Sequence, residues 1–188
     1  MSENILIENM EIEYTIIRRK IKNPRMEFKT GSLVLILPKN YKDHKKLIEK
    51  HKNWIYNKLD LIEKSKTCYL NMNRSENDLK TEIHLWVEYY SGIMELNPGN
   101  ISFRQMKKRW GSCDGKRNLK FNTRLRYLPG DLIEYIVFHE LSHLLEFGHN
   151  KDFWQIIHLK FPDYKKKDQK LSMYWFAIMA HTNNFKNP

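Results

Sequence analysis

Residues 132–145 constrain the fold more than any other segment, because they carry apolar side chains on nearly all sides of a predicted helix. Such a helix is stable only when other elements enclose it. The chain has 188 residues, 41% of them hydrophobic, which is enough for one compact domain with a core or for such a domain plus a small lobe. Asp131 is predicted to cap the helix. Phe147-Gly148 is predicted to end it, because glycine readily adopts a left-handed conformation.

The predicted helix contains His139-Glu140-Leu141-Ser142-His143, an H-E-x-x-H pattern. Side chains four residues apart lie one above the other on a helix face, so the imidazoles of His139 and His143 can bind the same metal ion. Glu140 lies one step round the turn, beside that ion. The pattern therefore predicts a metal site with an adjacent carboxylate.

A third ligand has to come from outside the helix. His149 is the favoured candidate, because imidazole is a common zinc ligand and Gly148 allows the chain to fold back after the helix. The alternatives are Glu146, Asp152 and His158. Metzincins share the histidine spacing but have glycine where this chain has Glu146, so the spacing does not place the chain among them.

Three protein ligands leave the fourth tetrahedral position to water, which is typical of a catalytic zinc. The ion lowers the pKa of its bound water towards about 7, and Glu140 is predicted to take the proton and pass it to the leaving amine. The sequence therefore predicts a zinc-dependent hydrolase with one Zn²⁺ per chain and with peptide hydrolysis as its default reaction. Other divalent metals also suit such a site.

Positive charge is concentrated between residues 104 and 126. The net charge of the chain is +11, and this segment has one acidic residue, Asp114, against nine basic ones: Arg104, Lys107, Lys108, Arg109, Lys116, Arg117, Lys120, Arg124 and Arg126. Such a field attracts phosphates, so nucleotide or nucleic-acid contact is a second expectation. The alternative functions are a metal-dependent nucleoside triphosphate pyrophosphohydrolase and a DNA-associated protease. Asp114-Gly115 predicts a hairpin, which makes the segment mostly a β-ribbon.

The order of the predicted elements indicates an α+β protein in two parts. Residues 12–37 alternate as strands, with a buried run at 33–37, and residues 41–64 have the period of a helix. After a polar connector at 65–75, Ser75 and Asp78 form the capping box of a second helix. Asn150 is predicted to cap a further helix, and residues 171–180 are predicted to form the last helix. We expect a domain of residues 1–70, a small β lobe with a helix, and a core of residues 71–188.

The remaining features concern the location of the protein. No apolar run reaches the roughly 20 residues that a membrane-spanning helix needs, and the chain start lacks the basic and apolar pattern of a secretory signal. Cys68 and Cys113 are the two cysteines, too few for a disulfide framework. We therefore expect a cytoplasmic protein without membrane contact.

The blocks along the chain resemble the YgjP-like metallopeptidase domain family. The matching residues are Arg109-Trp110-Gly111-Ser112-Cys113, Asn122, Leu125, the H-E-x-x-H helix, Gly148-His149-Asn150 and Phe153-Trp154. The resemblance implies a zincin-like catalytic core with a mixed or antiparallel sheet, distantly related to SprT-like and Wss1-like proteases. It also implies His139, His143 and His149 as metal ligands and Glu140 as the base.

For the segment 109–113, the resemblance implies a strand along the cleft that pairs with an extended peptide, with Arg109, Gly111 and Ser112 as substrate-binding residues. Gly111 allows close approach of a backbone, and Arg109 either stabilises an oxyanion or binds a neighbouring carboxylate. Cys113 is expected to be a buried filler. Trp110, Phe153 and Trp154 are expected in the core, and no motif marks an oxyanion tyrosine among Tyr127, Tyr164 and Tyr174.

Overall fold

The computed structural model describes residues 2–7, 10–29 and 32–184. Residues 1, 8–9, 30–31 and 185–188, which the predicted domains include, lie outside this part. The chain forms two compact units, one containing the residues up to Cys68 and those from Trp175 onward, the other Tyr69–Tyr174. Both units combine helices with a sheet, so the α+β prediction is confirmed. The division into domains 1–70 and 71–188 stays a prediction.

The first unit contains a four-stranded sheet, two helices and the part of the last helix that begins at Trp175. The sheet has the order β1-β2-β4-β3, and the strands are Ser2–Ile7 (β1), Met10–Arg19 (β2), Arg25–Lys29 (β3) and Ser32–Pro38 (β4). The central pair β2 and β4 is parallel, whereas the outer strands are antiparallel to their neighbours. The predicted helix at 41–64 is interrupted at His51 and forms His44–Lys50 (α1) and Lys52–Ser65 (α2).

The second unit contains Glu76–Ile93 (α3), Ile101–Arg104 (β5), Gly111–Cys113 (β6), Leu119–Asn122 (β7), a 3₁₀ helix, Gly130–Ser142 (α4) and Lys151–Lys160 (α5). Helix α6 (Tyr164–Asn184) belongs to this unit up to Tyr174. The predicted caps are confirmed: Ser75 and Asp78 form a capping box on α3, and the Asn150 side chain accepts from the Phe153 N–H. These caps fix where the helices begin on either side of the site.

The second unit's sheet differs from the expected ribbon. Its order is β5-β7-β6, with β7 parallel to β5 and antiparallel to β6, so the sheet is mixed. Residues 105–110 form a loop between β5 and β6, and only part of the basic segment is strand. The fully buried Asn122 holds this loop, because its amide donates to the carbonyl oxygens of Met106 at 2.9 Å and Arg109 at 2.8 Å. The Asp114-Gly115 hairpin is confirmed as the β6–β7 connection.

The buried helix α4 begins and ends earlier than predicted. Pro129 occupies the N-cap position, and the Asp131 carboxylate instead accepts from Lys167 at 3.0 Å. The helix ends at Ser142, where the backbone changes to single turns, and Gly148 does not adopt the left-handed conformation. The predictions of an Asp131 cap and a Gly148 stop are therefore wrong. None of the helices in the described ranges combines the length and apolar character needed to cross a membrane.

Candidate active site

His139 lies on α4, His143 is the C-cap residue that directly follows this helix, and His149 lies in the loop before α5. The structure brings these three side chains together, with potential ligand atoms all within 4.8 Å of one another. The Nε2 atoms of His139 and His149 are 3.0 Å apart. Two nitrogens on a tetrahedral zinc with bonds of about 2.0–2.1 Å are separated by about 3.3 Å. The spacing therefore fits a single metal ion.

Contacts with neighbouring residues orient the imidazoles of His139, His143 and His149. The Nδ1 of His143 lies 3.2 Å from the carbonyl oxygen of Glu146, and donation to that carbonyl leaves Nε2 available for a metal. The ring of Phe153 stacks on His143 with 4.5 Å between centroids, and the indole N–H of Trp154 donates to the His149 carbonyl at 3.1 Å. Phe153 is fully buried, as expected, whereas Trp154 is half-buried. Both aromatic residues thus hold the histidines.

The protonation states of His139 and His143 suit metal binding. Burial lowers the pKa of His139 to about 3, with smaller effects from the charges of His143 and His149. Burial also lowers the pKa of His143. Neutral imidazoles present the lone pairs that zinc binds, so these two side chains fit the ion.

Glu140 is 6% exposed and directly follows His139 on α4. Burial raises the pKa of its carboxyl to about 8, against the lowering effects of the Arg109 charge and of a hydrogen bond from the Cys113 N–H. A Cβ at Gly111 would lie 2.5 Å from the Glu140 Oε1 and 2.6 Å from its Cγ. Gly111 therefore gives room to the Glu140 side chain, whereas the sequence predicted the close approach of a substrate backbone.

The histidines and Glu140 open into a cavity of about 460 Å³. Residues 109–113 line it, together with parts of α4 and α6. Only Gly111–Cys113 form a strand, β6, which is an edge of its sheet. Arg109 is an exposed loop residue, and Trp110 is half-buried where core was expected. Arg109 and Trp110 have these positions because they belong to the loop 105–110, which hydrogen bonds from Asn122 hold in place.

The other predicted groups also have defined places. Cys113 is half-buried and lines the cavity, where a fully buried filler was expected. Burial raises the pKa of its thiol to about 11, with a smaller effect from Glu140, so the thiol is protonated. Ser112 lines the cavity. The alternative ligands Glu146, Asp152 and His158 are not members of the histidine group.

Two further residues that were not predicted from the sequence line the cavity, Tyr135 and Asp168. The Tyr135 hydroxyl donates to Asp168 at 2.8 Å. Tyr135 precedes His139 by four residues, and this helical spacing could have identified it as a member of the active-site face. Asp168 lies on α6, and no local pattern marks it. The tyrosines that the sequence analysis considered, Tyr127, Tyr164 and Tyr174, do not line the cavity.

A buried H-E-x-x-H helix, three convergent imidazoles and an adjoining cavity define a metal-dependent hydrolase. The family model described as "YgjP-like, metallopeptidase domain" matches residues 69–174, which are the second compact unit. The chain belongs to this family. It is accordingly a zinc-dependent metallopeptidase, which acts on peptide or protein substrates.

Two solved structures are also similar to this chain. The metallopeptidase zymogen of Pyrococcus abyssi abylysin is 22% identical, with 46% of this chain and 87% of that chain covered and a TM-score of 0.42. The metallopeptidase zymogen of Methanocaldococcus jannaschii jannalysin is 23% identical, with 48% and 92% covered and a TM-score of 0.42. No curated protein matches the chain.

Proposed function

We propose that His139, His143 and His149 hold the zinc ion and that Glu140 is the general base of peptide hydrolysis. The observation that carries this proposal is the convergence of three imidazoles next to a buried carboxylate in one cavity. When bound, zinc supplies a Lewis acid that polarises the substrate carbonyl and makes water more acidic. Glu140 takes a proton from the attacking water at its carboxylate and later gives it to the leaving amine.

The chain's own groups keep Glu140 in place for this proton transfer. The Cys113 N–H fixes one side of the carboxylate, and the absence of a side chain at Gly111 gives it space. Because β6 is an edge strand, its main chain is suited to pair with an extended substrate near Ser112. Arg109, exposed at the cavity, is placed to bind a substrate oxygen or to attract Glu140.

The first test is a direct comparison of substrate classes. The zinc-loaded protein is incubated with a mixed peptide library and, separately, with nucleoside triphosphates, with and without a chelator. We expect peptide cleavage that the chelator abolishes, because the carboxylate and edge strand suit an amide substrate. Hydrolysis of triphosphates without cleavage of any peptide would refute the proposal in favour of a pyrophosphohydrolase.

Nucleic-acid contact through residues 104–126 is the second candidate function. Within this segment Lys120 pairs with Asp114 at 3.2 Å, and the Arg117 Nε donates to the Asn97 carbonyl at 2.8 Å. Four exposed cations that form no ion pair in the described part of the chain precede β6: Arg104, Lys107, Lys108 and Arg109. Three of them are neighbours in the loop before β6. This group supports binding of phosphates close to the cavity, as in a DNA-associated protease.

DNA binding through these four cations predicts a specific salt dependence. If each neutralises one phosphate, the logarithm of the association constant falls with the logarithm of salt concentration with a slope of about −3.6 on duplex DNA. Fluorescence anisotropy on a labelled duplex measures this slope. Replacing Lys107 and Lys108 by Gln should reduce it by about half, whereas no binding even at low salt excludes the DNA-associated function.

We also propose a cytoplasmic location. Cys68 and Cys113 are both free thiols, which is consistent with a reducing compartment. Fractionation of cells that express the native chain tests the proposal, and recovery in a membrane or secreted fraction contradicts it.

A further inference from the structure

We propose that Asp168 binds a positively charged group of the substrate at the wall of the catalytic cavity. The group is an ammonium or guanidinium, supplied by the peptide's amino terminus or by a Lys or Arg side chain. The inference rests on the proposed function, because it takes the cavity as the peptide-binding site. It adds a preference for cationic substrates, which neither the family nor the histidine group implies.

The position of Asp168 relative to the reaction centre is fixed by Tyr135. Both residues line the cavity that contains Glu140 and the histidines. The Tyr135 hydroxyl donates to the Asp168 Oδ1 at 2.8 Å, and its ring packs edge-on against His139 with 6.2 Å between centroids. The phenol thus connects the carboxylate to the helix that carries the proposed base.

Asp168 forms no ion pair with a lysine or an arginine in the described part of the chain. Lysines precede Asp168 in the sequence of α6, but Lys167 donates to Asp131 at 3.0 Å, and Lys165 lies over the ring of Tyr164. Arg109 lines the same cavity and forms no ion pair with Asp168. The Asp168 carboxylate therefore brings a negative charge to the cavity. Its described hydrogen-bond donor is the Tyr135 phenol, which is neutral.

A half-buried carboxylate of this kind favours a cation brought by the ligand. Burial raises the pKa of Asp168, against the lowering effects of the Tyr135 hydrogen bond and the His149 charge. Burial removes part of the water that would hydrogen-bond to the Asp168 carboxylate. An ammonium or guanidinium of the substrate would compensate with a charge-assisted hydrogen bond. A role in orienting a metal ligand is less well supported, because the described hydrogen bonds include none between Asp168 and the three imidazoles.

The main experiment compares matched peptides that differ only in one charge. One pair has a free or an acetylated amino terminus, and the other has Lys or acetyl-lysine near the cleaved bond. We expect the wild-type protein to prefer the cationic member of one pair by at least about tenfold in kcat/KM. Asp168→Asn should bring that ratio close to one, and Asp168→Glu should restore part of it. The responding pair identifies the source of the cation.

The matched control is Glu88→Gln, which removes one negative charge from an exposed position on α3. It should keep the wild-type ratio. Equal ratios in wild-type and Asp168→Asn proteins, or an equal loss of selectivity in Glu88→Gln, overturn the proposal. Zinc content is measured in every variant, and loss of zinc from Asp168→Asn also overturns it by placing Asp168 in support of the metal.

A binding measurement separates this proposal from the proposed function. The same peptides are titrated into zinc-loaded Glu140→Gln protein, with and without Asp168→Asn, and affinities are measured by calorimetry. Tighter binding of the cationic peptide that depends on Asp168 supports the inference even if no peptide is hydrolysed by the wild-type chain. Hydrolysis of peptides without any such dependence contradicts the inference and leaves the proposed function standing.

Discussion

Replacing Glu140 by Gln is expected to lower kcat/KM for peptide cleavage by about 10³-fold while the protein still binds one zinc ion. The amide is close to the carboxylate in size, so it fits the space beside Gly111, but it cannot take a proton from water. The histidines are unchanged and the variant should fold. Steady-state kinetics on a fluorogenic peptide and metal analysis of the purified protein provide the two measurements.

Glu146→Gln is the control for this prediction, since it makes the same chemical change in the loop before His149. The Glu146 backbone carbonyl contacts His143, whereas its side chain is outside the histidine group. We expect activity within about threefold of the wild type, because the backbone contact is kept. Full activity of Glu140→Gln would show that Glu140 is not the base. Zinc loss from Glu146→Gln would indicate that Glu146 is a metal ligand.

The histidine group could be predicted because its members are close in sequence. His139 and His143 lie on one helix face by periodicity alone, and His149 follows within a short loop. The helix boundaries were less predictable. Asp131 has the chemistry of a cap, but its carboxylate bonds to Lys167, a residue 36 positions away. The tertiary contact with Lys167 therefore outweighs the local preference of Asp131 for a helix cap.

The wall of the cavity depends on contacts that no local pattern encodes. The sequence of residues 101–112 is compatible with one extended segment, yet the buried amide of Asn122 holds residues 105–110 as a loop and places β5 and β6 on opposite sides of β7. Asp168 similarly reaches the cavity only through the packing of α6. The sequence therefore predicts the histidine group better than it predicts the other residues that line the cavity.

Gly111→Ala is expected to lower kcat by about 10²-fold with zinc retained, because it moves the proposed base, Glu140, without touching a histidine. The added Cβ would lie 2.5 Å from Oε1, 2.6 Å from Cγ and 2.7 Å from Cδ of Glu140, closer than atoms can approach. The carboxylate therefore has to shift, and β6 is pushed from α4. Single-turnover kinetics at saturating peptide measure the chemical step directly.

The matched control is Gly115→Ala in the same hairpin, where a Cβ meets no atom within 4 Å, and it should keep activity within about threefold of the wild type. A double-mutant cycle then assigns the cause. If Gly111→Ala acts by displacing the base, adding it to Glu140→Gln lowers the residual rate by less than about threefold, because the displaced group is already inactive. A further loss near 10²-fold in the double variant would instead show that Gly111 acts on the substrate, as the resemblance first implied, because the effect would then be independent of the carboxylate.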